Sequence, residues 1–136
     1  MKYLLDVNAL VALGHAGHEF HERVARWVAR LISSGDSEIA TCSITELGFV
    51  RILAQAPLYG LSVEGARDLL GRIKASGSLP FSFLSDDKDI SQLPSWVVTP
   101  KQITDGHLAQ LARAKGATFA TLDRRIPRAF VIPSGG

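Results

Sequence analysis

Glu38-Ile39-Ala40-Thr41-Cys42-Ser43-Ile44-Thr45-Glu46 is the stretch that decides the fold class. Glu38 to Cys42 is a short, apolar-rich run suited to a buried strand. Ser43-Ile44-Thr45-Glu46 then has the form of a capping box, opening a helix that runs to about Gln55. A strand leading straight into a helix is half of a βαβ unit, and the alternation repeats on both sides. Upstream, Lys2 to Leu5 is an apolar run ending at Asp6, followed by a helical turn over Ala9 to Leu13 and a loop at His15-Ala16-Gly17. From His18 to Ser33 the apolar residues Phe20, Val24, Trp27, Val28 and Leu31 recur at helical spacing, with Glu19/Arg23 and Glu22/Arg26 as i,i+4 pairs.

Downstream, Pro57 and Gly60 break the pattern before a helix over Ser62 to Ala75. Leu79 to Leu84 is a strand candidate, followed by the acidic loop Asp86-Asp87-Lys88-Asp89, and Val97-Val98 is a shorter one. Thr104-Asp105 opens a helix that Gly116 stops, Thr118 to Leu122 forms a strand ending at Asp123, and Phe130 to Ile132 is a last edge strand. Strands alternating with helices predict an α/β domain with a central, mainly parallel sheet flanked by helices. One domain spans residues 1–132, and residues 133–136 read as a flexible tail.

The 136 residues, 46% hydrophobic and 21% charged, have the composition of a single globular domain and leave little room for a second. No apolar run approaches the ~20 residues of a membrane span. Met1 to Asp6 carries an acid where a signal peptide needs a continuous apolar stretch, so the cytoplasm is the expected compartment. The lone Cys42 excludes an internal disulfide and a cysteine-based zinc site, and it reads as a buried structural thiol. A net charge of +2 identifies no partner, so nucleic-acid binding would have to come from a local patch.

In open α/β sheets reactive groups collect beyond the carboxyl ends of the strands. Asp6 and Asp123 follow strands, while Glu46 and Asp105 sit in the first turns of helices after strand candidates. Singly, each has a bland role: Glu46 closes its capping box, Asp105 complements a helix dipole behind a Thr104 cap, and Asp6 and Asp123 cap short turns. Together they would share one small pocket. Two like charges about 4 Å apart repel by ~4 kcal/mol at an effective dielectric near 20, which protonation or a bound cation relieves. An all-oxygen donor set favours Mg²⁺ or Mn²⁺ over zinc, and a phosphodiester is the natural substrate for such an ion.

Four segments in order, Leu4-Leu5-Asp6-Val7-Asn8, Thr45-Glu46-Leu47-Gly48-Phe49, Thr104-Asp105-Gly106-His107-Leu108-Ala109 and Ala120-Thr121-Leu122-Asp123, resemble the PIN-domain family, and most closely the VapC toxins of prokaryotic type II toxin–antitoxin systems. The resemblance spans nearly the whole chain. It implies an endoribonuclease that needs Mg²⁺ or Mn²⁺ and is silenced by a VapB-like antitoxin. Asp6, Glu46, Asp105 and Asp123 then match the family's four acids, with Asp6 and Asp105 as the principal metal ligands. Glu46 and Asp123 would orient water around the ion or help to hold a second one. Asn8 and Thr121 match the small polar residues near the first and last acids, and Thr104 would support Asp105 by capping its helix.

Fainter signals surround this set. Arg124 and Arg125 follow Asp123 directly and would contact RNA phosphates, or else form a solvated cluster with Arg128. His15, His18 and His21 are spaced by threes without the acid pattern of a metal site, and His107 would point about 200° away from Asp105 on a helix. Arg23, Arg26 and Arg30 read as a solvated helix face, and Trp27 and Trp96 as core or interface. The phosphate-loop, dinucleotide and serine-hydrolase motifs are missing. Two rivals remain at this level: a phosphatase with Asp6 as nucleophile, although position 8 is Asn rather than Asp, and a non-catalytic module whose acid pocket receives a partner's basic residue. The apolar residues Leu47, Phe49, Val50, Ile52, Leu53, Leu69 and Leu70 exceed what one side of a thin sheet needs, so a homodimer is expected.

Overall fold

A computed structural model describes residues 1–134. The last two residues of the expected 133–136 tail lie outside the described residues. The chain runs β1 (Lys2–Leu5), α1 (Val7–Gly14), α2 (His21–Ser34), β2 (Glu38–Thr41), α3 (Ser43–Gln55), α4 (Val63–Lys74), β3 (Phe81–Phe83), α5 (Ile103–Ala114), β4 (Thr118–Thr121) and β5 (Phe130–Val131). The described strands form a five-stranded sheet in the order β3-β2-β1-β4-β5, and every pairing is parallel. The mainly parallel sheet expected from the sequence is therefore parallel throughout.

Parallel strands covered on both faces read as continuous apolar runs, and β1 shows why. Leu4 and Leu5 are both fully buried, but successive side chains leave a strand on opposite faces. Leu5 joins the core built by α1 to α4 with Ile39, Phe49 and Leu53. Leu4 joins the core under α5 with Ala40, Cys42, Leu108 and Leu111. The sheet is thus sandwiched, and the ends of β1, β2 and β4 open on one edge between the layers. Cys42 is a free, buried thiol, as expected.

Several expectations need correction. Val97-Val98 is not a strand: the Val97 N–H is spent on the Pro94 carbonyl at 3.1 Å and the Val98 N–H on Gln102 Oε1 at 2.8 Å, so neither is free for a sheet. Asp105 therefore follows a loop and a 3₁₀ turn (Pro100–Gln102) rather than a strand. Thr104 does not cap α5; it is the second residue of that helix, and Gln102 takes up the N–H groups of Val98 and Thr99 instead. The capping box of α3 lies one residue earlier than read. Thr45 accepts the Cys42 N–H at 3.0 Å, which releases Glu46 from that duty. Because α2 begins at His21, Glu19 falls outside it, and Arg23 instead donates twice to the Ile132 carbonyl, at 2.9 and 2.5 Å. Arg23 is thus a clamp on the end of β5 rather than part of a solvated face, whereas Glu22 and Arg26 do pair at 3.7 Å.

Candidate active site

Asp6 is held from two sides. It N-caps α1, its Oδ1 accepting the Ala9 N–H at 2.7 Å, while the Thr121 hydroxyl donates to its Oδ2. Only 6% of the residue is exposed. Burial pushes its carboxyl up to about 6 against the pull of both hydrogen bonds, and the negative charges of Asp105 and Asp123 push the same way. Asp105, third residue of α5, is half-buried, and its carboxyl is raised by burial and then by Asp123, with Arg125 opposing. Asp123 is pulled down, chiefly by the Arg125 guanidinium, which donates to both carboxylate oxygens at 3.0 Å.

Asp6, Asp105 and Asp123, from three separate parts of the sequence, line one open cleft of about 510 Å³ with Asn8, Thr104, Arg124 and Arg125. Glu46 does not line it. Its Oε2 accepts from Lys74 Nζ at 2.5 Å and from the Thr41 hydroxyl at 2.6 Å. The four acids therefore divide into two kinds: Glu46 and Asp123 each carry a cation from the chain itself, whereas Asp6 and Asp105 carry none among the described residues. Thr104, which fails as a cap, contributes to the wall of the cleft.

Two buried threonines organise this edge, and one of them, with a lysine, is missing from the sequence reading. Thr41 and Thr121 are both fully buried and end β2 and β4, and each donates its hydroxyl to one acid. Thr121 also accepts the Asp123 N–H at 3.0 Å, tying the ends of β1 and β4 together. Thr121 was singled out from the sequence, but Thr41 was not, although Ala40-Thr41 repeats Ala120-Thr121 at the matching strand end. The other missed residue is Lys74, which no local pattern connects to Glu46.

The histidines have structural duties. His18 accepts the Phe20 N–H at its Nδ1, so its Nε2 carries the proton donated to Asn8 Oδ1 at 2.9 Å. Burial lowers the pKa of His18, consistent with this neutral form. His21 Nδ1 bonds the Ala12 carbonyl at 2.7 Å, and His107 Nε2 meets Asp86 rather than the cleft. Trp27 is core, only 3% exposed.

Among the described residues, no three His, Cys, Asp or Glu side chains stand together as a ready-made cage for an ion. Mg²⁺ is commonly held by one or two carboxylates while it keeps several waters. The all-oxygen pair Asp6 and Asp105, destabilised by burial and by a neighbouring like charge, fits that mode of binding. No helix among the described residues is long and apolar enough to cross a membrane.

The PIN domain family model matches residues 3–130. The chain is 41% identical over 133 residues to Ribonuclease VapC44 of Mycobacterium tuberculosis, covering 93% of this chain and 89% of that protein. It is 37% identical over 124 residues to Ribonuclease VapC38 of the same organism, covering 88% and 84%. In structure it is similar to a chain in the crystal structure of VapBC2 from Rickettsia felis bound to a promoter DNA fragment, with a TM-score of 0.60 over 96% of each chain. At 18% identity that likeness speaks for the fold alone.

Proposed function

The chain belongs to the PIN domain family, and from that premise we propose that it is a toxin endoribonuclease of a VapBC-type toxin–antitoxin system. The observation that carries the chemistry is the convergence of Asp6, Asp105 and Asp123 on one open cleft. Asp6 and Asp105 hold a Mg²⁺ or Mn²⁺ ion. When bound, the ion supplies charge neutralisation at the phosphoryl oxygens and a more acidic water for hydrolysis. Asp6 is aimed by Ala9 and Thr121, so its carboxylate needs no reorganisation to receive a cation. Asp123, held ionised by the Arg125 guanidinium, orients water in the cleft, while Glu46 is paired with Lys74 outside it. Arg124, exposed on the cleft wall, and Arg125 contact the RNA backbone.

The enzyme works in the cytoplasm, as a homodimer, and a VapB-like antitoxin silences it. An antitoxin's basic side chain offers the carboxylates the chemistry that Arg125 already offers Asp123. That arrangement accommodates the reading as a binding module as one state of a toxin. The phosphatase reading gains nothing, because Asn8 supplies no acid and is engaged by His18.

The test is incubation of antitoxin-free protein with total cellular RNA in Mn²⁺ or Mg²⁺, against excess chelator, with Asp105→Asn alongside. Discrete cuts are expected only in wild type with metal. Equal cleavage by wild type and a folded Asp105→Asn variant would remove Asp105 from the chemistry. Binding without cleavage in either metal would favour the module.

A further inference from the structure

We propose that the cleft between α5 and the turn leading into β5 is a subsite for single-stranded RNA flanking the cut, with Trp96 stacking on a base and Arg113 and Arg128 holding phosphates. The inference rests on the ribonuclease reading above and says where its substrate runs.

This cleft, of about 760 Å³, is larger than the carboxylate cleft, and its wall includes Trp96, Gln110, Arg113, Phe119 and Arg128. Two arginines and no carboxylate line it, the opposite electrostatic character to the acid cleft. A third cavity, of about 170 Å³, has Asp105, Asp123 and Arg125 in common with the acid cleft and Trp96 in common with the basic one. Trp96 is therefore not simply core. It is half-buried against the α5 layer and lines both the third cavity and the basic cleft.

Arg113 and Arg128 are exposed, and among the described residues neither pairs with a carboxylate, whereas Arg26 and Arg125 both do. Arg128 also has φ 61°, the one residue other than glycine among the described residues in the left-handed region. Strained backbone of this kind persists where the surrounding structure enforces it, frequently at ligand sites. An aromatic face with guanidinium groups alongside is the usual equipment for gripping an unpaired strand: bases stack, and phosphates are held without regard to sequence. An acidic protein segment would satisfy the arginines but would leave unexplained the neighbouring cavity that Trp96 and the carboxylates both line.

The test uses the full chain in chelator with a labelled mixed-sequence RNA of about 12 nucleotides, a length that single-strand sites cover. In a Trp27→Phe background Trp96 is the sole tryptophan, and RNA is expected to quench it. Trp96→Leu should weaken binding roughly 5- to 100-fold. Arg113→Gln with Arg128→Asn should weaken it about tenfold and flatten the log–log salt slope by about 1.4, the value for two lost phosphate contacts. Arg30→Gln on α2, on the other side of the sheet, removes one charge and should leave affinity unchanged. With Mn²⁺ present, the cleft variants should raise KM and keep kcat. Unquenched Trp96 and unchanged affinities in a wild type that still cuts RNA would overturn the subsite and leave the nuclease reading standing. A wild type that neither binds nor cuts RNA would overturn both. If the cleft variants alter sedimentation instead of RNA affinity, the cleft is a protein interface and the proposal fails.

Discussion

Asp6 concentrates the cost of the site in one side chain. Its carboxyl sits at about 6 in the folded protein against 3.8 in an exposed one, so the folded state holds this proton more tightly than the unfolded chain does. Stability from this group is present below 3.8 and is lost as pH rises through about 6, on the order of 3 kcal/mol in all. Asp6→Asn keeps an oxygen for the Ala9 N–H and removes the charge. In chelator at pH 8 it should raise the melting temperature, and at pH 4 it should not. A variant less stable at both values would mean that the hydrogen bonds of the carboxylate outweigh its burial. Glu46 makes the contrasting case: its partner Lys74 is about a third exposed, with side-chain exposures of 32% and 24% for the pair. A double-mutant cycle of Lys74→Met and Glu46→Gln should return a coupling of about 1 kcal/mol or less by denaturant unfolding; several kcal/mol would show the pair to be effectively desolvated. The acids were legible in the sequence because Asp6, Glu46 and Asp123 stand just beyond strand ends and Asp105 in the first turn of a helix, all local features. Lys74 was not, because its contact with Glu46 depends on how α4 meets α3, which no short window encodes; Thr41 lies only five residues before Glu46, but nothing in an apolar strand end marks its hydroxyl as a donor to an acid.

At the scale of elements, α3 and β1 could be read to their boundaries because an apolar run and a helical period leave no competing reading. The region before α5 could not. Val97 and Val98 have strand composition, yet Pro94 and Pro100 flank them and local hydrogen bonds consume their N–H groups. The position of that loop matters for Asp105, because the next residue, Gly106, is where the loop touches α5: a Cβ there would collide with the Val97 side chain. Gly14, at the end of α1, is also too tight for a side chain, since a Cβ would come 2.6 Å from Phe49 Cε2 against 2.2 Å at Gly106, but it lies away from the cleft. Gly106→Ala and Gly14→Ala should each cost roughly 1–3 kcal/mol by thermal or denaturant unfolding. Their activities per folded molecule should differ. Gly106→Ala shifts the turn carrying Asp105 and should lower metal-dependent RNA cleavage at least tenfold, for displacements of about 1 Å cost even more. Gly14→Ala should cleave as wild type. Equal activity in the two variants would show that the loop does not position Asp105.

For the molecule as a whole, layers on both faces of the sheet account for most of the apolar residues that pointed to self-association. Phe49 and Leu53 are fully buried and Leu70 is 6% exposed, while Val50 and Leu69 pack against the same core. The sequence could not separate core from surplus here, because α3 packs on both α1 and α4 and needs a wide apolar face of its own. What remains on the outside is Leu47, 63% exposed, with Leu58 at 79% just beyond the helix, while Ile52, at 36%, lines the carboxylate cleft. Fully burying such a side chain is worth roughly 1.5–3 kcal/mol, so a few of them at the centre of a contact supply much of what a micromolar dimer requires. The homodimer is therefore expected to form across α3. Light scattering of the antitoxin-free protein should give twice the chain mass, and Leu47→Glu should give the monomer while retaining the melting profile of a folded domain. Because Leu47 immediately follows Glu46, the same variant tests whether the site depends on assembly. Cleavage retained by a Leu47→Glu monomer would make each subunit a complete nuclease. If Leu47→Glu remains dimeric, α3 is not the contact, and the unpartnered apolar surface elsewhere must carry it.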